Sequence, residues 1–166
     1  ELAGSARSSA HRAGRDEPLL ADVLRLRPRE DRRELRFAGR PAIASGTAPK
    51  KLVVEPLGRF AYTVNNTANT VSMYKIDQSS GALTSAGVDI ATGTGPVSLT
   101  ADPTGNYVYV ANSATNNVSM YKIDHTTGAL TTNGLKVATT ATPSAITIDP
   151  TGRYVFLAYA TAATNN

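Results

Sequence analysis

The heptapeptide Val-Ser-Met-Tyr-Lys-Ile-Asp occurs twice, at residues 71–77 and again at residues 118–124, 47 positions later. Aligning 52–98 with 99–145 without a gap gives 21 identities in 47 positions. A third copy opens in the same register. Asp102-Pro103-Thr104-Gly105 returns as Asp149-Pro150-Thr151-Gly152, and Glu55-Pro56-Leu57-Gly58 is the first version. A repeat of this length limits the possible folds more than any local propensity does. One supersecondary unit is copied, and successive copies must bury each other's apolar faces.

Within the central copy, four short strands are legible. Val97–Ala101 is closed by the turn Asp102-Pro103-Thr104-Gly105, where Pro second and Gly fourth suit type I geometry. Tyr107–Ala111 follows, rich in aromatic and β-branched residues. The polar run 112–117 turns the chain into Val118–Ile123, which alternates apolar with polar. After the turn His125-Thr126-Thr127-Gly128 comes an outer strand, Ala129–Ala138. No part of the repeat carries an apolar 3.6-residue period. A 40–50-residue period of four strands predicts an all-β fold: a partial β-propeller of four-stranded antiparallel blades, about 2.5 to 3 per chain. The divisions fall at 51–95, 96–142 and a truncated 143–166, after a distinct segment 1–50.

These strings also carry a family resemblance. Phe60-Ala61-Tyr62-Thr63-Val64-Asn65, Tyr107-Val108-Tyr109-Val110-Ala111-Asn112 and the Asp-Pro-Thr-Gly turns resemble the "YVTN" repeats of lactonase-type β-propellers. That group includes the propeller-type 6-phosphogluconolactonases, and the Val-Ser-x-Tyr-x-Ile-Asp…Thr-Gly-Ala-Leu-Thr string resembles it too. The resemblance covers about 115 residues. It implies a ring of about seven blades and hydrolysis of a lactone, either a sugar lactone or an N-acyl homoserine lactone. Such proteins commonly place a His after the Pro opening an inner strand and Asp after the second strand. Here those places hold Pro96-Val97, Pro143-Ser144 and Asn112.

The third copy stops before a third strand, so an isolated chain exposes strand edges and one inner face. Self-association that completes the propeller is therefore expected. The N-terminal segment offers one remedy. Val23–Arg27 and Glu34–Phe37 alternate and could form a hairpin supplying the two strands that the third blade lacks, in the same chain or from a neighbour. A short helix capped by Asp16, with Pro18, Leu19, Leu20, Val23 and Leu24, and a disordered tail are the two alternatives.

Charge divides the chain at the same boundary. Residues 1–51 hold 12 basic against 7 acidic side chains, whereas 52–166 hold 5 against 6. Acidic residues interrupt the basic run throughout and no aromatic interleaves it before Phe37, which argues against nucleic acid as the partner. There is no cysteine for disulfides or thiolate metal sites. No apolar run reaches the length of a membrane span, and the first 30 residues contain no signal-like apolar core. The default expectation is a cytoplasmic protein.

Lactone hydrolysis needs an activated water and a donor for the carbonyl oxyanion. His125 breaks the repeat, since Gln78 occupies its place one copy earlier, and with Asp124 it is the candidate catalytic pair. Asp77, Asp102 and Asp149 are candidate oxygen ligands for Ca²⁺, although their recurrence in every copy also suits turn capping. Arg59 and Arg153 flank the turns and suit an anionic ligand. No GxSxG, Walker, HExxH or GxGxxG motif is present. Two functions follow: a lactone hydrolase, metal-assisted or not, or a non-catalytic propeller module for binding and assembly.

Overall fold

The computed structural model describes residues 43–160 in full and the backbone of two strands nearer the N-terminus. The proposed helix start at Asp16–Leu20 lies outside the described residues. The two N-terminal strands, β1 (Leu24–Arg29) and β2 (Arg32–Phe37), pair antiparallel as a hairpin. No helix occurs among the described residues.

The first blade contains β3 (Pro49–Val54), β4 (Phe60–Asn65), β5 (Thr70–Ile76) and an outer strand in two pieces, β6 (Leu83–Ser85) and β7 (Ile90–Ala91). The second contains β8 (Pro96–Ala101), β9 (Tyr107–Asn112), β10 (Asn117–Ile123) and β11 (Leu130–Ala138). The third shows β12 (Pro143–Ile148) and β13 (Val155–Tyr159). Every pairing is antiparallel. Each inner strand starts at a proline (Pro49, Pro96, Pro143), where a missing N–H costs least. The turn chemistry holds as read. Gly58, Gly105 and Gly152 donate to Glu55, Asp102 and Asp149 across their turns at 2.9–3.0 Å.

Within a blade, alternate residues face opposite neighbours. Phe60, Tyr62, Val64, Val71 and Met73 of the first blade meet Leu99, Val108, Val110, Tyr121, Ile123 and Leu130 of the second in one buried core. The opposite face of the second blade packs Ala111 and Val118 on Ile146 and Leu157 of the third. The inner strands β3, β8 and β12 lie side by side along the stack, so the blades converge on that edge. Each fully buried valine in this core contributes about 1.5–3 kcal/mol by burial alone.

One expectation is corrected. The hairpin β1–β2 and the pair β12–β13 are separate two-stranded sheets, so the hairpin does not complete the third blade within its own chain.

Candidate functional site

Strand direction sorts the connections into two ends. The turns after first and third strands share one end; the loops after second strands and the crossings into the next blade share the other. All seven residues singled out from the sequence stand at the turn end.

The structure brings two of them together. The Arg59 guanidinium, beside the first turn of the first blade, donates from Nη1 to the His125 carbonyl at 3.1 Å. Its Nη2 lies 3.5 Å from His125 Nδ1. A guanidinium can only donate, so Nδ1 is the acceptor and Nε2 carries the proton, donated to Asn106 Oδ1 at 2.8 Å. Glu55, almost fully buried, anchors Arg59 from behind. Its carboxylate accepts the Leu57 and Arg59 N–H groups at 2.9 and 2.6 Å, with Arg59 Nε at 3.6 Å. Both imidazole nitrogens are thus engaged, and His125 works as a bracket between blades. Tyr62 strengthens the same joint by donating to the Gly128 carbonyl at 3.0 Å. Burial, above all, raises its phenol pKa and keeps it a neutral donor.

The aspartates do not converge. Asp77 accepts the Ser79 and Ser80 hydroxyls at 2.6 Å and their N–H groups at 3.1 and 2.7 Å. Asp124 accepts the Thr126 and Thr127 N–H groups at 2.8 Å. Asp102 takes the Thr104 hydroxyl at 2.5 Å and the Asn106 and Tyr107 N–H groups at 2.7 and 3.0 Å. Asp149 takes the Thr151 hydroxyl and the Arg153 and Tyr154 N–H groups. Arg153 itself stands exposed beside that turn. Each carboxylate is satisfied by its own turn, and no group of three His, Cys, Asp or Glu close enough to hold a metal occurs among the described residues.

These bonds hold three carboxyls below the ordinary range: Asp77 chiefly through the Ser79 hydroxyl, Asp124 through the Thr127 N–H, Asp149 through the Thr151 hydroxyl. A carboxyl with a depressed folded-state pKa contributes stability that is complete above about pH 4 and lost as pH falls through the folded value. Urea midpoints are therefore expected to hold steady near neutrality and drop below about pH 4. Asp77→Asn should make that acid limb shallower; an unchanged limb would show that the turns do not carry it.

The loop end has a different chemistry, which the sequence reading passed over. Asn65 and Asn112 close the second strands and are fully buried. Asn112 Nδ2 donates to Asn117 Oδ1 at 2.8 Å and Ser119 Oγ at 3.0 Å, and its Oδ1 accepts from Thr92 at 2.9 Å. Asn69, at φ +57°, accepts the Gly95 N–H at 2.8 Å, and Asn66 donates to the Pro96 carbonyl at 3.0 Å. The crossing from β7 into β8 is thereby clasped by the preceding blade. Gly93 is required here, because a Cβ would sit 2.6 Å from Asn112 Cγ. The usable sequence signal was the pair Gly46/Asn65, repeated as Gly93/Asn112. After the inner-strand prolines stand Lys50, Val97 and Ser144, of which Lys50 and Ser144 are exposed. This end offers amides, hydroxyls and an ammonium, suited to binding hydroxyl and carbonyl oxygens rather than to taking a proton.

The family model "Lactonase, 7-bladed beta-propeller" matches residues 36–142. Among solved structures, the chain is similar to a proposed 6-phosphogluconolactonase from Bacteroides fragilis, at 30% identity and TM-score 0.64, over 70% of this chain and 33% of that one. A proposed 6-phosphogluconolactonase from Bacteroides uniformis shares 23% identity at TM-score 0.70, over 83% and 41%. The periplasmic gluconolactonase of Pseudomonas aeruginosa shares 22% at TM-score 0.68, over 82% and 40%. The latter two likenesses speak to the fold alone. Among curated proteins there is no match to the sequence. The chain spans roughly a third to two fifths of the length of these structures.

Proposed function

The chain belongs to the seven-bladed β-propeller lactonase family, and on that premise we propose that it serves lactone-ring hydrolysis, with a sugar lactone as the substrate class. The observation that carries this is the family match across 36–142, which spans both complete blades. A relative described as a 6-phosphogluconolactonase, 30% identical, makes a phosphorylated sugar lactone the first substrate to try. In this reaction water adds to the carbonyl carbon, the ring C–O bond breaks, and the released alkoxide takes a proton to give the hydroxy acid. The loop end suits the binding half of that task, with Lys50 and Ser144 exposed beside the axial strands for the ring hydroxyls and the anionic group. A divalent cation, if bound, would supply the activated water, but no group of three His, Cys, Asp or Glu that could hold one occurs among the described residues.

A second reading, a non-catalytic binding or assembly module, has its own support. His125 is engaged at both nitrogens, and Asp77, Asp102, Asp124 and Asp149 are each satisfied within a turn. One experiment separates the two. Acid release from 6-phosphogluconolactone, gluconolactone and an N-acyl homoserine lactone is followed in a pH-stat, with and without EDTA, on protein of measured solution mass. Hydrolysis is expected above the buffer rate, highest for a sugar lactone, and reduced by EDTA where a cation assists. Buffer-rate traces over the whole panel from folded protein would sink the hydrolase reading and leave the module.

A further inference from the structure

The outer strand of the second blade carries a dipeptide that its counterpart in the first blade lacks. Asn133-Gly134 is the one Asn-Gly in the chain, and one repeat earlier the same places hold Ala86-Gly87. Thr132 pairs with Tyr121 and Lys136 with Ser119, so Asn133, Gly134 and Leu135 stand opposite Met120 alone, in a bulge of the β10–β11 ladder. Gly134 holds left-handed backbone at φ +77°, and nothing lies within 4 Å of the place its Cβ would take. All three residues are exposed. That exposure belongs to the rim of a blade. Gly87 and Val88, the equivalents of Gly134 and Leu135, are exposed although the complete second blade packs beside them.

Two hydrogen bonds arrange this bulge for an intramolecular reaction. The Leu135 N–H donates to Asn133 Oδ1 at 3.1 Å, which folds the carboxamide back over the peptide that follows it. The Gly134 N–H donates to Thr132 Oγ1 at 3.1 Å. The Asn133 carboxamide carbon is thus held near the Gly134 nitrogen, and glycine sets no side chain beside that nitrogen. Were the two to bond, negative charge would grow on Oδ1, where the Leu135 N–H already points. The proton that the nitrogen must lose already has the Thr132 hydroxyl oxygen as its acceptor. By contrast, Asn65 and Asn112 are fully buried.

We infer that Asn133 is a site of spontaneous, backbone-assisted deamidation in the folded protein. The Gly134 nitrogen loses its proton to solvent by way of the Thr132 hydroxyl and bonds to Asn133 Cγ. The Cγ–Nδ2 bond then breaks, Nδ2 takes up a proton and leaves as ammonia, and a succinimide ring remains. Water opens that ring. Addition at Cγ gives aspartate, whereas addition at the backbone carbonyl carbon gives isoaspartate, with the main chain running through Cγ. Either way a neutral amide becomes a carboxylate on the rim of the second blade. Isoaspartate adds one atom to the main chain. The bulge absorbs it, because 133–135 make no ladder pairs with β10, and the blade keeps its fold. The inference is independent of any lactonase activity.

The test incubates the 166-residue chain at physiological temperature, at neutral and at mildly alkaline pH, and follows tryptic peptides by mass. Cleavage after Lys122 and Lys136 releases 123–136, in which Asn133 is the one asparagine. This peptide should gain about 1 Da, faster at the higher pH, and part of it should accept a methyl group from an isoaspartate-specific methyltransferase. Peptides bearing Asn65 and Asn112 should lag far behind. Gly134→Ala should slow the reaction by about tenfold, the factor that about 1.4 kcal/mol in a barrier makes, because a Cβ crowds the attacking nitrogen. Thr132→Val leaves the backbone alone and should slow it as well. An Asn133 left intact while other asparagines react would overturn the proposal, as would unchanged rates in both variants. A faster reaction in Gly134→Ala, whose fold is the looser one, would overturn it too, by showing that unfolding rather than the bulge exposes Asn133. So would a modified chain that has lost its β-sheet circular dichroism.

Discussion

Gly128→Ala is expected to lower the unfolding free energy by about 2–5 kcal/mol, and Gly134→Ala by only about 1 kcal/mol. Both glycines hold left-handed backbone, at φ +79° and +77°. Adding a Cβ in that region costs about 1–2 kcal/mol whatever surrounds it. Their surroundings differ. Nothing lies within 4 Å of a Cβ on Gly134, whereas a Cβ on Gly128 would stand 2.3 Å from Phe60 Cδ1 and 2.6 Å from Cε1. Neither party can withdraw cheaply. Phe60 is buried in the joint between blades, and the turn is tied down at three points: Gly128 N–H to Asp124 O at 2.8 Å, Tyr62 Oη to Gly128 O at 3.0 Å, and Arg59 to His125 O at 3.1 Å. Overpacking of this kind adds about 1–3 kcal/mol. For a domain holding about 5–15 kcal/mol in all, that is a large share. Urea midpoints by circular dichroism make the comparison. Equal midpoints for the two variants would mean that the inter-blade contact at Phe60 carries no strain, and that the joint is looser than its geometry.

What the sequence made legible is what recurs at 47 residues. The inner strands begin at Pro49, Pro96 and Pro143 and the second strands end at Asn65 and Asn112, each 47 apart, so strand number, order and turn positions could all be read from one alignment. Contacts between blades obey a different spacing. Arg59 with His125 and Tyr62 with Gly128 are 66 residues apart, joining a first-turn position in one copy to a third-strand turn in the next. No self-alignment reveals such a pair, and for that reason His125 looked like a departure from the repeat rather than a bracket. The N-terminal boundary misled for a simpler reason. Ile43–Pro49 reads Ile-Ala-Ser-Gly-Thr-Ala-Pro, close to Ile-Ala-Thr-Gly-Thr-Gly-Pro at Ile90–Pro96, but the arginine-rich composition upstream drew a line at residue 50 and hid the continuation. Composition reports solvent exposure, whereas the backbone role of a Gly–Asn contact survives any change in the charge around it.

The second large effect comes from that Gly–Asn contact, and it sets two equivalent positions against each other. Asn65→Asp is expected to destabilise by about 3–5 kcal/mol at pH 7, the penalty for leaving a buried charge uncompensated. Asn112→Asp should cost clearly less. The wild-type Asn65 amide donates from Nδ2 to Thr70 Oγ1 at 3.0 Å, Ser72 Oγ at 2.8 Å and Asp89 Oδ2 at 3.4 Å. An aspartate there replaces the donor with an oxygen facing the Asp89 carboxylate, in a site with no exposure to solvent. One repeat later the residue corresponding to Asp89 is Lys136, opposite Ser119 in the β10–β11 ladder, and its ammonium can answer the new charge at 112. The pH dependence follows from the sign of the shift. Burial and a like charge raise the folded-state pKa of the new carboxyl above its unfolded value of about 3.9. The deficit against wild type is therefore smallest near pH 4, where the acid is neutral and can donate to Asp89, and it grows as pH rises through the folded pKa. Urea midpoints of both variants between about pH 4 and pH 8 give the measurement. A deficit for Asn65→Asp that does not change with pH, or one that Asn112→Asp matches, would show that Asp89 and Lys136 do not set the charge that these two buried sites can hold.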